Sequence, residues 1–207
     1  MDVDEVWRHT HEQRRALAAL LRDLSEEEWA VASLCEGWSV RDVAAHVMRS
    51  ATVTPVEMAV ALVRFRGRYN TLVAEDARRA ARRPVAELVA QFDRHDGSRR
   101  RPFGTAVTDP LLDVLVHSQD IAVPLGRPHP MPIAPAVLAA RRAQRLSFLF
   151  TGSARRRHLE IRAIDADFAV GAGPLVEGPM RAVLLLLTGR TAAALPGLSG
   201  PGVDRLT

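Results

Sequence analysis

The sequence predicts a mainly α-helical protein: a helical bundle over residues 1–150, then a small α+β unit over residues 151–207. Three observations carry that prediction. The apolar mass is largely Ala, Leu and Val with only 5% aromatics, a blend that suits helices. Capping signatures recur ahead of segments whose apolar residues return at helical spacing. After Gly152 the pattern changes to strict alternation, as in a half-buried strand.

The first helix is expected from about Asp4 to Leu24, where Trp7, Leu17, Leu20, Leu21 and Leu24 share one face. Ser25 with Glu28 forms a capping box ahead of Trp29, and Ser39 with Asp42 repeats it after the Gly37-Trp38 break. The helix so opened, Val40 to about Ser50, carries Val43, Ala44, His46 and Val47. Thr54, Pro55 and Glu57 mark another start: a cap, a proline at the first position and an acid in the first turn. Residues 70–83 and 84–96 read as two helical pieces, and 97–108 as a loop that is basic at its start. Asp109-Pro110 opens a helix from Leu111 to about Leu125, stopped by Gly126.

Pro128, Pro130, Pro132 and Pro135 make a stiff connector to a helix from Ala136 to about Phe150. In the tail, Arg157 to Val170 reads as a strand pair, and Gly178-Pro179 opens an apolar helix that ends in Thr188-Gly189-Arg190.

Composition narrows the function classes. The chain has 207 residues and a net charge of +4, with arginine as its only permanently basic side chain. The runs Arg99-Arg100-Arg101, Arg141-Arg142 and Arg155-Arg156-Arg157 raise nucleic-acid binding as a possibility. Their dilution among 24 acidic residues, with no recognition helix or stacking motif, argues for a solvated face instead. A single cysteine, Cys35, fits a reducing compartment and reads as a small buried hydrophobe. The charged N-terminus lacks a signal peptide's apolar core, and no apolar run is long enough for a membrane, so a cytoplasmic protein is expected.

Candidate chemistry centres on Asp113 and His117, four apart on one helix face, so that a carboxylate and an imidazole can converge on one ion. A third ligand must come from elsewhere in the fold, and His46 is the natural candidate. Spacing alone favours plain helix-face pairing, because Glu5/His9 and Asp42/His46 share the interval. Asp120, one turn beyond His117, has two readings: a residue orienting a ligand, or a solvated acid. Arg190 also has two: a partner for a substrate carboxylate, or a cation favoured at a helix C-terminus. Trp38 reads as cover for the bundle. His9, His11, His95, His129 and His158 read as surface or loop residues.

Two segments add to this. GWSVRDVAAHV (Gly37 to Val47) and DVLVHSQDIAVPLG (Asp113 to Gly126) resemble the signatures of the mycothiol-dependent maleylpyruvate isomerase family, a branch of the DinB-like four-helix bundles. The tail, including GPMRAVLLLLTGR (Gly178 to Arg190), is similar to that family's small C-terminal domain. The resemblance implies a divalent metal, most simply Zn²⁺, held by His46, Asp113 and His117. It implies mycothiol as thiol cosubstrate, its metal-bound thiolate attacking a small electrophilic substrate in an isomerase or transferase reaction. A non-catalytic metal- or small-molecule-binding protein is the alternative. The family pattern has glutamate where this chain has Asp113, whose side chain is one methylene shorter.

Overall fold

The computed structural model describes residues 1–54, 56, 57, 60, 69–147 and 156–206. It divides into two compact units, Met1–His129 and Pro130–Thr207.

In the first unit, Asp2 and Glu5 form a reciprocal capping box that starts helix α1 (Val3–Arg22). Ser25 and Glu28 do the same for α2 (Glu26–Ala30), and Ser39 and Asp42 for α3 (Val40–Thr52). Each cap satisfies otherwise orphaned N–H groups and contributes about 1 kcal/mol. A fourth box joins Thr54 and Glu57, whose backbone N–H groups each bond the other's side chain; Pro55, expected at the first helical position, lies outside the described residues. Next come α4 (Tyr69–Ala80), α5 (Val85–Arg94) and α6 (Asp109–Ala122). Pro84 sits just before α5 rather than inside it.

Helix α3 packs against α4, α5 and α6, and α1 packs against α5 and α6. Their shared core contains Leu17, Leu21, Val43, Val47, Met48, Val114 and Ile121, each at most 2% exposed. Burying such side chains stabilises the bundle by about 1.5–3 kcal/mol apiece, before entropy is counted. His46 shares a helix with this core, so its place is set by the packing of its neighbours.

The second unit begins earlier than the boundary near residue 150 expected from the sequence. Helix α7 (Ile133–Arg145) packs on α8 (Met180–Leu187), and that contact assigns it to the C-terminal unit. Pro135 lies inside the first turn of α7, where its missing N–H has no helical partner to lose. The sheet has the order β2-β1-β3, from β1 (Glu160–Ala163), β2 (Ala169–Gly171) and β3 (Leu175–Gly178). Strand β1 runs antiparallel to β2, with Ile161 opposite Val170, and parallel to β3, with Ile161 opposite Val176. The expected strand pair is therefore present, with a third strand beside it. Gly171 has a φ of 80°, and a Cβ there would fall onto the Leu159 carbonyl oxygen. Pro179 gives α8 no side-chain cap, and Asp165 replaces one by accepting from the Met180 N–H at 2.7 Å. A short helix, α9 (Thr191–Ala194), follows. Among the described residues no helix is long and apolar enough to cross a membrane.

Candidate metal centre

The centre lies between α3 and α6. Gly37, with a φ of 72°, turns the chain into Trp38, and Ser39 then caps α3. His46 emerges two turns later. Trp38 meets it edge-on, with ring centroids 5.3 Å apart, so the cover residue also limits how that imidazole can turn.

Helix α6 supplies Asp113, His117 and Asp120 on one face. His46 Nε2 lies 3.4 Å from Asp113 Oδ1, and His117 Nε2 lies 3.4 Å from the same oxygen. The three atoms lie within 4.8 Å of one another. A charge-assisted N–H···O bond is typically about 2.7–2.9 Å, so these separations are long for simple ion pairs. Donors at tetrahedral zinc distances of about 2.0–2.1 Å stand about 3.3 Å apart, which the observed spacing matches. The donor set suits an ion between hard and soft, such as zinc.

The far side of His117 is equally defined. Its Nδ1 lies 2.8 Å from Asp120 Oδ2, and Asp120 is fully buried. A ring nitrogen donating to a carboxylate directs the other nitrogen's lone pair outward, the usual arrangement behind a metal-bound histidine. Asp120 is thus buried against His117, and its solvated-acid reading does not hold.

Electrostatics follow from this packing. Burial pushes the Asp113 carboxyl up, but bonds and charges from His117 and His46 outweigh it and hold the group well below the usual carboxylate range. Burial likewise lowers His117, yet bonds to Asp113, Asp120 and Cys35 raise it well above the ordinary histidine value. Without metal, His117 is therefore the cation between two carboxylates.

Beside His46 and Asp113 opens a cavity of about 150 Å³, with Arg49, Ser50, Thr105 and Asp109 in its wall. Arg49 is braced by Asp76 at 2.6 Å and Glu57 at 3.5 Å.

Arg190 belongs to the second unit, where its guanidinium donates to the Thr188 carbonyl at 2.7 Å at the end of α8. His11 and His129 are buried rather than superficial, His11 stacked on Trp7. Cys35, read as a hydrophobe, donates from Sγ to Asp120 Oδ2 at 3.1 Å. No spacing rule links Cys35 to a helix so distant in sequence.

Residues 10–106 match the family described as the mycothiol maleylpyruvate isomerase N-terminal domain. That span includes His46 and stops short of Asp113. The whole fold is similar to the crystal structure of the mycothiol-dependent maleylpyruvate isomerase, with a TM-score of 0.66, 13% identity, and 97% of this chain and 93% of that chain covered. A histidine-to-alanine mutant of that enzyme matches to the same degree. No curated protein matches the sequence. The family match thus covers residues 10–106 of the 207, and the likeness to the isomerase structure shows a similar fold along the rest of the chain.

Proposed function

We propose that this protein is a metal- and mycothiol-dependent isomerase or transferase acting on a small electrophile, with His46, Asp113 and His117 as metal ligands. The observation that carries the reading is the pair of 3.4 Å separations that seat Asp113 Oδ1 between two imidazole Nε2 atoms from different helices. Three protein donors leave a tetrahedral ion one position for an exogenous ligand, the pattern of reactive rather than structural sites. The family match and the similar isomerase fold support mycothiol as that ligand.

A divalent ion, most simply zinc, would supply the positive charge that keeps a thiol ionised near neutral pH. The chain's residues do the rest. Asp120 holds the His117 proton at Nδ1, so that Nε2 keeps a free lone pair. Asp113 supplies the single negative charge among the donors, and aspartate suffices where the family has glutamate because α6 already brings its carboxylate level with both rings. Trp38 covers one edge of His46. The adjoining cavity opens directly beside His46 and Asp113, where a small substrate can approach the proposed ion. Cys35 is absent from its wall and is engaged by Asp120, which leaves the nucleophile to come from the cosubstrate. A reduced low-molecular-weight thiol suits a cytoplasmic setting.

The test is elemental analysis of protein purified without a metal-affinity tag, together with turnover of maleylpyruvate with and without mycothiol. We expect close to one equivalent of a divalent ion, and turnover that needs the thiol. Metal without thiol-dependent turnover would favour a non-catalytic binding protein. A chain that takes up no metal even after reloading would sink the proposal.

A further inference from the structure

We infer that Cys35 is a positioning residue for this centre: its thiol and the His117 ring share one oxygen of Asp120, and the thiol thereby fixes the imidazole that faces the ion. The inference rests on the metal reading above and extends it to a residue outside the three proposed ligands.

Two donors meet at Asp120 Oδ2, the Cys35 thiol at 3.1 Å and His117 Nδ1 at 2.8 Å. Asp120 is fully buried, so its carboxylate depends on protein donors to offset the loss of water. Each donor opposes rotation of the carboxylate about its Cβ–Cγ bond, so the Cys35 thiol adds its hold on Oδ2 to that of His117 Nδ1. Sγ also lies 3.8 Å from His117 Nδ1, a longer contact than its 3.1 Å bond to Asp120, so the thiol meets both the ring and the carboxylate behind it.

The turn around Cys35 is built to hold the thiol in that place. Ser33 N–H donates to the Trp38 carbonyl at 2.9 Å, and Trp38 N–H donates back to the Cys35 carbonyl at 3.0 Å. The Cys35 N–H is capped by Ser33 Oγ at 3.1 Å. Leu34 N–H donates to the main-chain oxygen of Asp120 itself at 3.1 Å, so Asp120 is gripped through both backbone and side chain. The turn that delivers Trp38 to His46 therefore also delivers Cys35 to the partner of His117. A half-buried cysteine that only fills space would be replaceable by valine or alanine; one that donates would be replaceable by serine.

That difference is the test. Metal-free wild type, Cys35→Ala, Cys35→Val and Cys35→Ser are titrated with zinc against a competing chelator, their cobalt-loaded visible spectra are recorded, and their metal-free melting is compared. We expect alanine and valine to weaken zinc binding about tenfold, the low end for loss of an outer-sphere contact, and to alter the cobalt bands. Serine should recover most of the affinity and the native spectrum. Valine keeps the apolar volume and guards against a simple packing defect in alanine. If alanine and valine bind zinc as tightly as wild type, Cys35 is only packing and the inference falls; if serine fails alongside them, the thiol does something other than donate to Asp120, and the inference falls as well. Wild type that takes up no zinc is a separate failure, because it removes the metal reading on which the inference stands.

Discussion

His46 on α3 and His117 on α6 face each other across one oxygen: their ring centroids are 4.9 Å apart, nearly perpendicular, and each Nε2 points to Asp113 Oδ1. Two imidazoles so placed, with neither close enough to the carboxylate for a short bond, suit a shared ion better than a shared proton. His46→Ala and His117→Ala should each reduce bound zinc below about a tenth of an equivalent, because the proposed site makes both direct ligands. Elemental analysis with circular dichroism checks this. Full metal content in either variant would remove that residue from the site.

The response to pH has opposite signs with and without metal. His117 is raised in the folded, metal-free protein, so its stabilising contribution is complete below the unfolded value of 6.5 and is lost as pH rises through the raised value. Asp113 is depressed, so its contribution is complete above the unfolded value of 3.8 and is lost as pH falls towards the folded value. Metal-free protein should thus be most resistant to urea between these two ordinary values and weaken above neutrality. Zinc affinity should instead strengthen as pH rises, because the ion displaces the His117 proton. Urea midpoints between pH 5 and 9, with and without zinc, test both slopes. A metal-free midpoint unchanged above neutrality would contradict the charge assignment.

The helices that position the site were legible because their signals are local. Ser25/Glu28, Ser39/Asp42 and the Asp109-Pro110 start each lie within four residues of the helix they open, and the structure has helices at all three. Asp113 and His117 were legible as a pair for the same reason. His46 could be joined to them only through family resemblance, since periodicity does not say which helices become neighbours. Strand β3 was missed because four residues between Pro174 and Pro179 are too short for alternation to show, and their pairing with β1 is parallel and non-local. Cys35 does pack against the core, as its sequence reading has it, but its bond to Asp120 is not legible there because the acceptor lies on another element.

Asp120→Asn separates the buried carboxylate's role from its shape. The amide keeps the volume but sets a neutral group against His117 Nδ1, so the ring is no longer held in one tautomer. Zinc affinity should fall about 10- to 100-fold, the range for losing the carboxylate behind a metal-bound histidine. His46 and Asp113 remain, so some binding should persist, unlike in His117→Ala. Competition titration distinguishes the two variants, and unchanged affinity would show that Asp120 has no part in orienting the ring.

Arg49 gives the complementary case, a residue beside the site whose main work is in the fold. Its guanidinium ties α3 to Asp76 on α4 at 2.6 Å and reaches Glu57 at 3.5 Å, while its side chain is only 14% exposed. Arg49→Met retains the apolar stem but leaves Asp76 facing the cavity with, among the described residues, only its longer contact to Arg79, at 3.4 Å. A fully buried pair broken on one side costs about 3–5 kcal/mol, and an exposed one below about 1 kcal/mol. With Asp76 at 24% exposure the cost should lie between, about 2 kcal/mol in urea unfolding. None of the three proposed ligands bonds Arg49, so zinc binding by the folded variant should stay within about threefold of wild type, a shift under about 1 kcal/mol. Normal stability with lost zinc would reverse the assignment and make Arg49 part of the centre rather than a brace for the helices around it.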